Sequence, residues 1–175
     1  MILKQLYILT LAVTFMFNGL PKYIQKRVDK EIEKTFEIEK FDMSEITISA
    51  ELQKQVPSKF NNDNLFKIQS GEKLICYAYV AQAPSKTAQF DYLVLLNPDL
   101  TVAGSKVLIY REEYGGEIGS TRWLKQFIGK KPGDDLKYGD NVSAISGATI
   151  SVRSMTNAME DLLESVKILH TNNVL

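Results

Sequence analysis

Between residues 65 and 110 the sequence runs through four apolar, β-prone stretches joined by very short connections, and this spacing dictates much of the fold. LFKIQ (65–69), KLICYAYVAQA (73–83), FDYLVLLN (90–97) and TVAGSKVLIY (101–110) are rich in β-branched and aromatic residues. The breaks between them, Ser70-Gly71-Glu72, Ala83-Pro84-Ser85-Lys86 and Asn97-Pro98-Asp99, are turn sequences. A parallel crossover consumes about a dozen residues or more, so these links predict consecutive antiparallel hairpins. Cys76 falls inside the second stretch and is expected to be a buried, inert thiol.

Downstream the period changes from strand to helix. Ser120 to Ile128 predicts a short helix with Trp123, Leu124 and Phe127 facing inward. From Ile150 onward Met155, Ala158, Met159, Leu162, Val166 and Leu169 trace one stripe of an amphipathic helix. Strands followed by helices, rather than alternating with them, define an α+β class: an antiparallel β-sheet packed with C-terminal helices. Upstream of the strands, Ile24, Val28, Ile32 and Phe36 recur every four residues and predict a helix over Lys22 to about Lys40 with one side on the core. Arg27 and Glu31 can pair along it. Val56-Pro57 stops a short helix and Asn61 to Asn64 reads as a turn; the remainder of 42–64 carries no decisive pattern.

The N-terminus reads as an address. Gln5 to Pro21 are 17 residues without a charge, behind Lys4. Such a length fits an N-terminal membrane-anchor or signal helix. No small-x-small cleavage site follows, which favours a signal anchor over a cleaved signal peptide, with a buried helix as the third reading. Lys22, Lys26, Arg27 and Lys30 follow the segment, and the positive-inside rule taken alone would keep the remaining chain in the cytoplasm. The expected organisation is therefore a signal anchor or signal peptide at 1–21, a linker helix and start of the domain at 22–64, and the main domain at 65–170.

Composition removes several function classes. Lys and Arg number 21 and so do Asp and Glu, so there is no basic surplus for electrostatic nucleic-acid binding. With one cysteine, Cys76, and one histidine, His170, the chain alone supplies no disulfide, haem site, iron–sulfur cluster, zinc site or histidine triad. Any redox chemistry must come from a bound organic cofactor.

The residues that carry chemistry are Ser146-Gly147-Ala148-Thr149, immediately before the last helix. Small residues at a helix start leave its backbone N–H groups unobstructed, and with the positive end of the helix dipole they make a phosphate site. Taken alone the tetrapeptide also fits an ordinary helix cap, which contributes about 1 kcal/mol.

The longer stretch SAISGATIS resembles the flavinylation motif of the FMN-binding domain family, Asp-x-x-Ser/Thr-Gly-Ala-Thr/Ser. Upstream, YREEYGGEIGSTRWLKQFIGKKPGDDL resembles the family's second signature, a Tyr-x-Glu segment, a Gly-x-Glu-Ile, then Trp-x-x-x-Phe-x-Gly-Lys. The resemblance covers roughly Leu65 to Val166 and is sharpest from Tyr110 to Met155. That domain occurs in flavin subunits of ion-translocating ferredoxin and NADH:quinone reductases and in membrane proteins of nitrous oxide respiration.

The resemblance implies that Thr149 is the acceptor whose hydroxyl becomes a phosphoester to FMN, with Ser146, Gly147 and Ala148 forming the turn that presents it. Tyr110, Glu112, Gly115, Gly116, Glu117 and Ile118 match the segment beside the isoalloxazine or supporting its pocket. Trp123, Phe127, Gly129 and Lys130 match the helix that follows, where core packing explains Trp123 and Phe127 equally well. It further implies a partner flavin transferase that moves FMN from FAD, membrane redox partners, and a domain on the extracytoplasmic side. The family's location is here preferred to the charge count, which is a weak determinant for a first segment. One position departs from the pattern: the acid three residues before Ser146 is replaced by Ser143, and the nearest acid is Asp140. The expected function is thus an extracytoplasmic electron carrier with covalent FMN. The alternatives are a non-covalent FMN-binding protein or sensor, for which Ser143 speaks, and a cofactor-free scaffold or binding domain.

Overall fold

A computed structural model describes residues 19–175. Most of the proposed signal anchor or signal peptide at 1–21 lies outside the described residues. The chain begins with α1 (Lys22–Phe36), β1 (Asp42–Glu45) and the one-turn α2 (Ala50–Gln53). Four longer strands follow: β2 (Leu65–Ser70), β3 (Lys73–Pro84), β4 (Gln89–Leu96) and β5 (Val102–Ile109). A 3₁₀ turn (Gly116–Gly119), the short α3 (Thr121–Leu124), a second 3₁₀ turn (Lys125–Phe127) and the long α4 (Thr149–Thr171) complete it.

The five strands form one sheet in sequential order, β1-β2-β3-β4-β5, with every pair antiparallel. The hairpins expected between residues 65 and 110 are therefore present. In β4 both faces are buried, which is why the stretch reads as nearly continuous apolar residues. Tyr92, Val94 and Leu96 face the cluster that includes Met155, Met159, Leu162, Val166 and Leu169 of α4. Leu93 and Leu95 face the opposite cluster, built with Phe66, Ile68, Ala78 and Val80 around Ile24, Val28 and Ile32 of α1. A helix thus covers each face of the sheet, and each fully buried aliphatic chain contributes about 1.5–3 kcal/mol. Cys76 lies in the α1-side cluster, where burial pushes its thiol up to about 12 and keeps it protonated.

Arg27 does not pair with Glu31. Its guanidinium instead donates to the Leu108 carbonyl at 2.7 Å, which ties α1 to β5. The segment before β2 is latched to α4 by the Ser58 N–H, which donates to Ser165 Oγ at 2.9 Å. Among the described residues no helix is long and apolar enough to cross a membrane.

Candidate functional site

Two elements meet at the site: the segment leaving β5 and the loop entering α4. The entering loop is pinned by Val142 and Ala148, both buried, and by the partly buried Ile145. Its backbone at Ser143 is held from two sides. Trp123 Nε1 donates to the Ser143 carbonyl at 2.8 Å, and the Ser143 N–H donates to Gln126 Oε1 at 2.8 Å. The position that departs from the motif is thus fixed through main-chain atoms, and no carboxylate is needed there to shape the loop. Ile145 to Ala148 then close a tight turn, with the Ala148 N–H donating to the Ile145 carbonyl at 3.2 Å. Gly147 sits at the third position of this turn with φ of 78°, a left-handed conformation that strongly favours glycine.

That turn delivers Thr149 to the first position of α4. Ala148 occupies the cap position, and no side chain caps the helix. The first main-chain bond into the helix runs from the Val152 N–H to the Ala148 carbonyl at 2.9 Å. Among the described residues no hydrogen bond uses the N–H groups of Thr149, Ile150 or Ser151. Three donors at the positive end of a 23-residue helix therefore point outward. The Thr149 side chain is exposed, and its hydroxyl is not used as a cap.

The segment after β5 approaches this end closely. Gly115 has φ of 79°, and a Cβ built on it would lie 2.6 Å from the Ala148 Cβ and 3.1 Å from the Tyr110 hydroxyl. Only a glycine facing an alanine permits that contact. Tyr110 Oη lies 3.0 Å from Ser151 Oγ, which joins the end of β5 to the first turn of α4. Its ring packs against Phe90 with centroids 6.0 Å apart.

Between these elements opens a cleft of about 530 Å³, within the range of small-molecule sites. Tyr110, Glu112, Gly115, Glu117, Ser146, Gly147, Ala148 and Thr149 line it, eight of the ten residues that the resemblance assigns to the cofactor. Gly116 does not line it, and Ile118 is fully buried in the α4-side core. Lys86, Tyr114, Ile150 and Ser151 also line the cleft, and sequence reasoning missed all four. Ile150 and Ser151 were within reach, since they directly follow the motif. Lys86 comes from a distant hairpin turn and carries no local signal. A larger groove of about 770 Å³ beside the start of α1 contains none of the motif residues.

Glu112 reaches away from the helix end. Its Oε1 accepts from the Thr87 N–H at 2.6 Å and the Ala88 N–H at 3.2 Å, and its Oε2 from the Thr87 hydroxyl at 2.9 Å. The Ser85 hydroxyl beside it, followed by the Thr87 N–H, holds its carboxyl down at about 2. Ser85 Oγ completes no bond of good geometry, so its share is that of a nearby dipole. The donors of the carboxylate otherwise all belong to the β3–β4 turn. Glu112 is therefore a brace of the cleft wall.

The fold and this cleft define a class: a small α+β domain that presents a free hydroxyl and unpaired N–H donors to an anionic ligand. Residues 87–164 match the family described as FMN-binding domain. Among solved structures the chain is similar to NqrC of Shewanella oneidensis, with a TM-score of 0.59 and 19% identity over 86% of this chain and 97% of that one. No curated protein matches the chain. Residues 87–164 are thus similar to an FMN-binding domain, and the likeness to NqrC extends to the fold, an antiparallel sheet with a C-terminal helix. The donor set suits FMN: a phosphate against the open N–H groups, and an adjacent cleft with tyrosine walls for a flat ring.

Proposed function

We propose that this chain is an extracytoplasmic electron carrier that holds FMN through a phosphoester to Thr149. The observation that carries this reading is the position of Thr149, with an exposed hydroxyl at the uncapped start of α4, inside the cleft that gathers both sequence motifs. Bound there, FMN supplies the one- and two-electron chemistry that the side chains lack. The N–H groups of Thr149, Ile150 and Ser151 hold the phosphate, and the Gly115–Ala148 contact keeps the turn and the β5 segment in register around it. Tyr110 fixes the first turn of α4 through Ser151.

Attachment falls to a partner flavin transferase. His170 stands at the far end of α4, about 30 Å from Thr149 at 1.5 Å per residue, and bonds there to the Leu175 carbonyl. It cannot deprotonate the acceptor, so the base is the transferase's to supply. A covalent link has a physical advantage outside the cytoplasm. A micromolar complex has a binding free energy of about −8 kcal/mol and empties when free flavin is scarce, whereas a tether keeps the cofactor at an effective concentration of order millimolar. The segment at 1–21 would anchor the domain at the membrane, close to its redox partners.

The test is the intact mass of the full chain after co-expression with a flavin transferase. A gain of FMN less one water, with yellow colour that survives denaturation, is the expected result. Unshifted mass with flavin released by denaturant would replace the covalent carrier with a non-covalent FMN protein, the reading favoured by Ser143. Colourless protein would sink both.

A further inference from the structure

Lys86 brings the cationic side chain to the cleft wall, from the tip of the β3–β4 hairpin. A lysine on a free turn would sweep through solvent, but this turn is gripped. Its ends are closed by the Ser85 N–H, which donates to the Ala88 carbonyl at 2.8 Å. Glu112 accepts three bonds from Thr87 and Ala88, directly beside Lys86 in sequence. Arg111 secures the returning strand, donating to the Gln89 carbonyl at 2.7 Å and pairing with Asp91 at 2.6 Å. Two consecutive residues of the segment leaving β5 therefore fix the hairpin that carries Lys86. The cleft also holds two carboxylates, and one of them, Glu112, is engaged by the turn.

We propose that Lys86 sets the flavin's reduction potential, standing beside the reduced isoalloxazine, with Glu112 as the residue that positions it. The inference rests on the FMN reading above. Oxidised FMN takes two electrons and one proton from a reductant to give a reduced ring with one added negative charge. A cation beside that ring stabilises the reduced form more than the oxidised one, and Glu117, as a carboxylate, acts in the opposite sense. Glu112 touches the turn rather than the ligand, so its influence passes through Lys86.

The experiment is a reductive titration with dithionite and a reference dye, on the full chain loaded with FMN by a flavin transferase. Lys86→Met should lower the equilibrium preference for the reduced state about tenfold, a fall of about 30 mV for a two-electron couple. Lys86→Arg should keep most of it. Glu112→Gln should also lower the potential while Lys86 is present, and should not lower it further in the Lys86→Met background. A carboxylate acting only by its own charge would give the opposite sign, a rise in potential on Glu112→Gln, and that would overturn the positioning role. An unchanged potential in Lys86→Met would overturn the proposal outright. So would a variant that loses affinity for added FMN but keeps its potential, since Lys86 would then serve the phosphate. Wild-type chain that takes up no flavin would bring down the FMN reading itself and this inference with it.

Discussion

The helices of this molecule begin in two different ways. The short α2 and α3 each start on a serine that closes the end: Ser49 Oγ accepts from the Leu52 N–H at 3.2 Å, and Ser120 Oγ from the Trp123 N–H at 3.3 Å. The long α4 starts on Ala148 and has no side-chain cap, although hydroxyls stand on either side at Ser146 and Thr149. A cap contributes about 1 kcal/mol, and a helix of one turn has little else to hold it. α4 buries ten of its residues against the sheet and neighbouring segments, so it can leave its first donors open. α1 also lacks a side-chain cap, but it starts after Pro21, away from the cleft, so among the described residues the uncapped helix end inside the cleft is that of α4.

The most severe way to break that contrast is Thr149→Val. All covalent flavin should disappear on co-expression with a transferase, read as in-gel fluorescence, while Thr149→Ser should retain it. Because the hydroxyl caps nothing, urea unfolding of the valine variant should stay within about 0.5 kcal/mol of wild type. Fluorescence persisting in the valine variant would refute the assignment.

Next in size is Gly115→Ala, which puts a methyl 2.6 Å from the Ala148 Cβ at a φ of 79°. The combined clash and left-handed strain should cost about 2–4 kcal/mol in denaturant unfolding. Adding Ala148→Gly to the same chain should recover part of that loss, and no recovery would mean the two segments do not touch as described.

Smaller again is Ser120→Ala, expected to cost about 1 kcal/mol through the open end of α3. A thermal or urea midpoint equal to wild type would erase the difference between capped and uncapped helices.

The smallest effect is a titration at the other wall of the cleft, where donors are used rather than left free. The Glu112 carboxyl is held at about 2 against an ordinary 4.5. A depressed carboxylate contributes stability that is complete above about 4.5 and is lost as the pH falls towards 2. The Thr87 and Ala88 amide shifts in NMR should move together across that window, and Glu112→Gln should abolish the movement.

Much of this architecture was legible before any coordinates. The four strands from Leu65 to Ile109 announce themselves because the two central ones, β3 and β4, are buried on both faces along most of their length and the turns are made of Gly, Pro, Asn and Ser. α4 is legible because its stripe is long. β1 is not: Asp42-Met43-Ser44-Glu45 is a polar edge strand, mostly exposed, so no alternation marks it. The same contrast divides the site. The residues of the two motifs lie in contiguous segments and were visible, Tyr114 among them though not singled out, but Lys86 depends on where a distant turn comes to rest. Ile118 shows the reverse case. It stands in the motif, yet its side chain serves the core, because a short 3₁₀ turn rotates it inward beneath the residues on either side.

Because neighbours in the sheet are also neighbours in the chain, each strand can add to the last as it is made, closing only small loops. α4 is different. It must reach back across the sheet, and its latch between Ser165 and Ser58 spans 107 residues. The surroundings of Thr149 are therefore assembled last, after the sheet they close upon. Without this helix one face of the sheet would lie bare, so the loop that presents Thr149 takes its shape only once the two ends of the domain have met.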